Sequence, residues 1–485
     1  MRKVALFIAL ILFLSVPFVF SDPTDISGLH QYTLENGLEL FILENHSAPL
    51  VYIEIAIRGG GIAQTAQTAG LFHLYEHMMF KGNSKFRTAA EVNSAYLDLG
   101  VPSWNGSTGA EYVNYYFTVP SEKLKEGLEF WSYAIREPLL DPKELESEKG
   151  VVISEITGDF SDPGWIYASA IDRRLFPKYP WRRDPAGTVE NVRNATTETL
   201  RTIQKEYYIP NNAALFVGGD VKPDEVFALV NEVYGSWKRG KDPWADPQPP
   251  QTSLPVRRPT FVVYPDPTVS SRFGIVEMYY RGPDVGRDAA STYAADVWGY
   301  LISNPSGRYK KNLVAANLGI PDPNYTGAYY LTQKDGGQLV FWTYLLAKPG
   351  ESFARRTQQL KERIRAYELT AMTRERSYFS EEEYEQVKRL IENQRILEME
   401  TVEGFLRTLR FWWASASTDY FFGYIDSMKK VGFRDVSVFL DKYIHKNLEI
   451  VAIRVNPGVF EAEKKAFADA GFETLSADNA FWWKK

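Results

Sequence analysis

The feature that most constrains this chain is that its pattern is written twice. The stretch from Arg239 to Pro259, RGKDPWADPQPPQTSLPVRRP, carries five prolines between Pro243 and Pro255. Proline fixes φ and removes a backbone donor, so such a run reads as an extended linker. The segments on either side share landmarks. The first opens with NGLELFILENHSAPLVYIEIAIRGG, ending at Arg58-Gly59; the second opens with PTFVVYPDPTVSSRFGIVEMYYRGP, ending at Arg281-Gly282. Both show the period-two alternation of paired strands. Further on, Tyr208-Ile209-Pro210-Asn211-Asn212 leads into AALFVGGDVKP, and Tyr443-Ile444-His445-Lys446-Asn447 leads into LEIVAIRVNP. Between these landmarks the pattern is mostly helical, as in SEKLKEGLEFWSYAIREP and EEEYEQVKRLIENQRILEMETVEGFLRTL. Strands and helices do not alternate strictly. The expected fold is therefore α+β, with two homologous lobes, each a mainly antiparallel sheet covered by helices. The expected boundaries are an N-terminal lobe over 22–238, a Pro-rich linker over 239–258 and a C-terminal lobe over 259–485.

The 485 residues exceed what one hydrophobic core usually organises. The formal net charge of −6 gives no basic excess for nucleic acid or an anionic membrane. The chain has no cysteine, so disulfides and thiolate metal sites are excluded and any metal must be held by His, Asp or Glu. Arg2 and Lys3 precede an apolar run from Val4 to Phe20, and Val19-Phe20-Ser21 follows as a processing site. Residues 1–21 are read as a signal peptide rather than a retained anchor. The mature chain is then exported, to the periplasm or the extracellular space, with no membrane span after cleavage.

Only five histidines occur, and two stand four apart in Leu71-Phe72-His73-Leu74-Tyr75-Glu76-His77. On a helix that spacing puts both imidazoles on one face. Zinc accepts two nitrogens from such a pair at about 2.0–2.1 Å. Glu76 falls on the neighbouring face, within reach of a water on the metal. Zinc brings the pKa of that water down to about 7, where a carboxylate can take its proton. His-x-x-Glu-His is the inverted zincin pattern.

A third ligand is required. Asp141-Pro142-Lys143-Glu144 has the composition of a helix start, an N-cap residue followed by proline. The helix should run toward Gly158. Leu145, Glu148, Val152 and Glu155 share one of its faces. If that face is buried, its two carboxylates need a metal or a partner. Val151, Ile153 and Ile156 offer a competing buried face, which would leave the carboxylates in solvent.

The chain resembles the pitrilysin/insulinase metallopeptidases, which include the mitochondrial processing peptidase. TAGLFHLYEHMMFKGNSKF is similar to the family's metal helix and SEKGVVISEI to its third-ligand helix. The resemblance implies one zinc ion held by His73, His77 and Glu155, with Glu76 as catalytic base and Glu148 as a supporting acidic catalytic residue. Trp104 to Glu111 followed by YVNYYFTVP is similar to a family turn and edge strand beside the metal. It implies that Asn105, Ser107, Thr108 and Tyr112 contact substrate, with an extended peptide paired to the Tyr112–Val119 edge.

In the second half, Asp296-Val297-Trp298-Gly299-Tyr300 stands where His73 to His77 stand, with no ligand among them. The family's substrate-holding Arg and Tyr would fall on Val314 and Pro321, neither of which has a side-chain donor. Tyr325, Tyr329 and Tyr330 follow without an arginine. The expected function is zinc endopeptidase action on extended or unfolded peptides, alone or with a partner, which would be a homologous second subunit or a second copy of the chain. The alternative is a non-catalytic interaction subunit of the same family.

Overall fold

The period-two segments pair into two six-stranded sheets in a computed structural model that describes residues 28–246, 249–251 and 260–484. The signal-peptide reading, on residues 1–21, and part of the Pro-rich stretch lie outside these residues. The first sheet contains β1 (Leu29–Thr33), β2 (Glu39–Glu44), β3 (Leu50–Arg58), β4 (Trp104–Thr108), β5 (Tyr112–Pro120) and β6 (Ala213–Gly219). The second contains β7 (Thr260–Pro265), β8 (Phe273–Arg281), β9 (Thr326–Leu331), β10 (Gln338–Leu346), β11 (Ile450–Val455) and β12 (Glu473–Thr474). Their orders are β1-β2-β6-β3-β5-β4 and β12-β7-β11-β8-β10-β9. Five strands of each correspond one to one. β2 runs parallel to β6 as β7 runs parallel to β11, and the next three pairings in each sheet are antiparallel. The fold is α+β, with two mainly antiparallel sheets covered by helices.

One expectation needs correction. Tyr112–Val119 is not an edge. β5 lies between β3 and β4, and the edge is Trp104–Thr108, with Trp104 opposite Phe117 and Thr108 opposite Val113. The Asn-Gly-Ser-Thr composition reads as a turn, yet those residues fit an edge strand because only one side needs a partner.

One face of each sheet carries helices of its own half, and the other receives a helix from the opposite half. Helix α1 (Leu71–Met78) buries Leu71, Phe72, Leu74, Tyr75 and Met78 in the first core. After it come α2 (Pro142–Asp159) and α3 (Pro163–Leu175). α3 places Ile166, Tyr167, Ala170 and Ile171 against Val262, Tyr264, Tyr279 and Val340 of the second sheet. In the second half, α4 (Ala289–Ser303), α5 (Glu381–Glu398) and α6 (Val402–Ser415) play the corresponding parts. α6 returns Phe405, Leu406, Leu409 and Trp413 to Phe41, Tyr52, Ala56 and Phe216 of the first sheet.

A buried charge pair marks this crossing. Glu54 on β3 is fully buried, accepts hydrogen bonds from Tyr52 Oη at 2.8 Å and Asn114 Nδ2 at 2.6 Å, and pairs with Arg410 of α6 at 2.9 Å. Burial pushes the Glu54 carboxyl up, and the Arg410 guanidinium opposes this. Arg410→Met leaves a buried carboxylate without its cation, which costs about 3–5 kcal/mol. Urea unfolding should show that loss, and adding Glu54→Gln should recover most of it. Equal stability of Arg410→Met and wild type would contradict the assignment.

Candidate active site

The third-ligand helix begins where its composition placed it. Asp141 caps it, accepting from Lys143 N at 2.8 Å and Glu144 N at 3.2 Å, with Pro142 in the first turn. The two competing faces are resolved by packing. Leu145, Glu148 and Val152 of the first face are buried and Val151 of the second is 43% exposed, while Ile156 of the second is buried as well. α2 lies against α1 and leaves Glu155 at the rim of this contact, half exposed, facing the two histidines.

Three donor atoms converge there. His73 Nε2 and His77 Nε2 are 3.2 Å apart, and Glu155 Oε2 is 3.7 Å from the first and 3.6 Å from the second. A tetrahedral ion with bonds of about 2.0–2.1 Å holds its ligands about 3.3–3.4 Å from one another. The triangle therefore fits zinc with only a small inward movement of Glu155. Burial, with the neighbouring His77, lowers His73 to about 4, so its ring is neutral and its nitrogen lone pair is free at pH 7. His77 is oriented from behind. Its Nδ1 donates to Glu148 Oε2 at 3.1 Å, and Glu148 also pairs with Lys81. That bond leaves Nε2 of His77 as the acceptor, the tautomer a metal needs. Glu148 therefore sits against the His77 ring, behind the three converging donor atoms. Lys81 was not anticipated. It lies just past the end of α1, in the turn after Met78, where no helical spacing from His77 could point to it.

Glu76 is almost buried, and its Oε2 accepts from Thr108 Oγ1 at 2.7 Å. Burial pushes its carboxyl up, and the Thr108 hydroxyl opposes this. The edge strand passes so close that a Cβ on Gly106 would lie 3.0 Å from Glu76 Oε1 and 3.1 Å from Phe80 Cζ. Gly106→Ala should therefore displace the Glu76 carboxylate by a few tenths of an ångström. A misplaced catalytic group loses about tenfold or more in rate. Metal content should stay unchanged. Full activity of Gly106→Ala would show that Glu76 has room to spare.

Of the four residues expected to contact substrate, Thr108 faces α1, and Asn105, Ser107 and Tyr112 share the opposite face of the sheet. Strand alternation puts Gly106 and Thr108 toward α1 and Ser107 toward the opposite face. Ser107 Oγ donates to Asn114 Oδ1 at 2.6 Å, and Asn105 Oδ1 accepts from Gly106 N at 2.9 Å. Tyr112 lies under the Arg410 guanidinium, 4.3 Å from ring centre to Cζ. Helix α6 covers this tyrosine, which no sequence pattern in the first half could indicate. In the second lobe, Tyr325 stacks on Phe273, Tyr330 Oη donates to Pro283 O, and Tyr329 is exposed on β9. Among the described residues none of the three contacts the histidine cluster.

Comparison with known proteins bears on the family and the fold. A family model described as Insulinase (Peptidase family M16) matches residues 40–162, and one described as Peptidase M16 inactive domain matches residues 194–391. The uncharacterized zinc protease YmxG of Bacillus subtilis is 27% identical over 214 residues, covering 44% of this chain and 52% of that protein. The probable mitochondrial-processing peptidase subunit beta of Arabidopsis thaliana is 25% identical over 202 residues, covering 42% of this chain and 38% of that protein. The chain spans about half the length of the curated relatives it matches. The first half of the periplasmic protease PqqL from Escherichia coli superposes with a TM-score of 0.73 at 18% identity, covering 92% of this chain and 96% of that one. A protease from Helicobacter pylori gives a TM-score of 0.70 at 18% identity, over 88% of this chain and 99% of that one. At such identity these two likenesses speak for the fold, while the two family matches extend over both lobes. The chain belongs to the insulinase family, peptidase family M16.

Proposed function

We propose that this chain is a zinc endopeptidase for extended or unfolded polypeptides, carrying one zinc ion on His73, His77 and Glu155. The observation that carries the reading is the triangle of donor atoms at 3.2, 3.6 and 3.7 Å with the Glu76 carboxylate beside it. Zinc held by these three residues would supply Lewis acidity, bringing the pKa of a water down to about 7 and polarising a peptide carbonyl. Glu76 takes the proton of the attacking water and returns it to the leaving amine. Thr108 holds the carboxylate for that task, and Glu148 holds His77. The free edge of β4 offers backbone donors and acceptors to an extended peptide, so that its scissile bond runs past Glu76.

The two-lobe division at residues 22–238 and 259–485, and substrate contact by Asn105 and Thr108, belong to the same proposal. So does export to the periplasm or outside the cell after removal of residues 1–21, supported by the Arg2-Lys3 start and the Val4–Phe20 apolar run. No helix among the described residues is long and apolar enough to cross a membrane. The missing Arg and Tyr suggest a homologous second subunit, because hydrolysis needs donors aimed at the developing oxyanion and loss of one costs about 10²–10³-fold. The test is to load the purified full chain with zinc and assay an unfolded polypeptide alone and with a homologous subunit. Weak activity that rises sharply with the partner supports the divided site. Full activity of the chain alone removes the partner, and zinc binding without activity in either mixture favours the non-catalytic subunit.

A further inference from the structure

The second lobe keeps the architecture of the metal cleft without its ligands. α4 follows β8 as α1 follows β3, and α5 packs on α4 as α2 packs on α1. On α4, Asp296 and Tyr300 have the four-residue spacing of His73 and His77. From α5, Gln394 accepts a hydrogen bond from Tyr300 Oη, as α2 supplies carboxylates to the histidines. The position of the zinc site is thus filled by a different set of groups.

Those groups share one chemistry. The Asp296 carboxylate accepts a hydrogen bond from Tyr424 Oη at 3.0 Å and, among the described residues, pairs with no lysine, arginine or histidine. Aromatic rings gather beside it. Tyr293 stacks on Tyr420 with centroids 4.9 Å apart, and Tyr420 stacks on Trp412 at 4.9 Å. Tyr424 lies 5.8 Å from Tyr293 and 5.9 Å from Trp412. Tyr293, Asp296, Tyr300, Trp412 and Tyr424 are all partly exposed, so the cluster reaches the surface. Leu390 and Leu397, one turn to either side of Gln394, are 51% and 68% exposed. α4 also lies against β9, one of the two edge strands of the second sheet.

A carboxylate is costly beside apolar rings unless a cation joins it. Burial pushes Asp296 up to about 7, and among the described residues no cation offsets this. Aromatic faces attract organic cations, and a carboxylate gives them a charge-assisted hydrogen bond. The combination is suited to an ammonium or guanidinium group, and it is poorly suited to an anion or to a metal that needs several hard ligands.

We propose that Asp296, Tyr293, Tyr424 and the rings around them form a non-catalytic subsite for a lysine or arginine side chain of a polypeptide lying along β9. The inference rests on the polypeptide-binding part of the proposed function and not on hydrolysis. The subsite would hold a substrate at a second point, on the other lobe from the zinc, without any bond being broken there.

The test is calorimetric titration of the metal-free full chain with three blocked pentapeptides, identical except for a central Lys, Arg or Gln. The Lys or the Arg peptide should bind at least tenfold more tightly than the Gln peptide, and whichever binds better identifies the cation. Asp296→Asn keeps the shape and the acceptor for Tyr424 and should abolish the difference, while Tyr293→Leu should reduce it severalfold. Near-ultraviolet circular dichroism checks that each variant is folded, and if Asp296→Asn is not, the Tyr293→Leu comparison decides. Equal binding of charged and neutral peptides by the wild type, or undiminished discrimination by a folded variant, overturns the proposal. Because no zinc and no turnover enter the measurement, its failure is distinct from failure of the peptidase reading.

Discussion

Replacing Glu76 with glutamine is expected to leave zinc content unchanged and to reduce hydrolysis of an unfolded polypeptide by about 10²–10⁴-fold, the range for loss of a general base. The geometry separates the two properties. Glu76 is directed at Thr108 and the edge strand, while the three converging donor atoms come from His73, His77 and Glu155. Glutamine keeps the volume and can still accept the Thr108 hydrogen bond, so packing against Gly106 is preserved. Only the capacity to take a proton is lost. Metal analysis alongside the kinetics decides the matter. A Glu76→Gln protein that loses zinc while wild type keeps it would make Glu76 a ligand and remove the base from the mechanism.

The second large effect concerns the ligands. His73→Ala, His77→Ala and Glu155→Gln should each lose zinc during mild chelation and lose activity with it, because each removes one of the three proposed ligands. Glu148→Gln should weaken zinc only about 10–100-fold, the usual cost of removing a group that orients a ligand. Glutamine at 148 can still accept from His77 Nδ1 but no longer offers a full charge to it or to Lys81. The measurement is zinc retained per chain across a series of chelator concentrations. Indistinguishable curves for Glu148→Gln and Glu155→Gln would erase the difference between orienting and ligating.

Much of this was readable from the chain because the informative patterns are local. The His73 and His77 spacing fixes two imidazoles on one helical face whatever surrounds it. Asp141-Pro142 starts the next helix by capping chemistry that needs no tertiary context. The matching strand pairs around Arg58 and Arg281 gave the two lobes. What stayed hidden depends on contacts between distant segments. The buried stripe of α2 could be chosen only once α1 packed on it. Strand β4 was taken for a turn because its Asn, Gly and Ser are weak strand formers, and its role follows from having only one neighbour. Tyr112 looked free for substrate because the helix that covers it lies some three hundred residues later in the chain. The Thr108–Glu76 bond and the close approach of Gly106 likewise arise from a strand and a helix that meet only in the folded lobe.

The exchange of α3 and α6 has a consequence for assembly. Either half made separately would expose the apolar surface its missing helix covers: Phe41, Tyr52, Ala56 and Phe216 in one, and Val262, Tyr279, Val340 and Ile450 in the other. Exposed patches of that kind drive aggregation or association. Two separately encoded fragments, cut between the halves, should therefore rescue one another when co-expressed and co-purify without a peptide bond between them. Two identical half-length chains that swapped a helix would build the same interleaved arrangement, and fusing them end to end would yield a chain with this connectivity. Such a fusion leaves one of the two equivalent clefts free to change while the other keeps its His-His-Glu group, and the Asp296 cluster stands where that freedom would have been used.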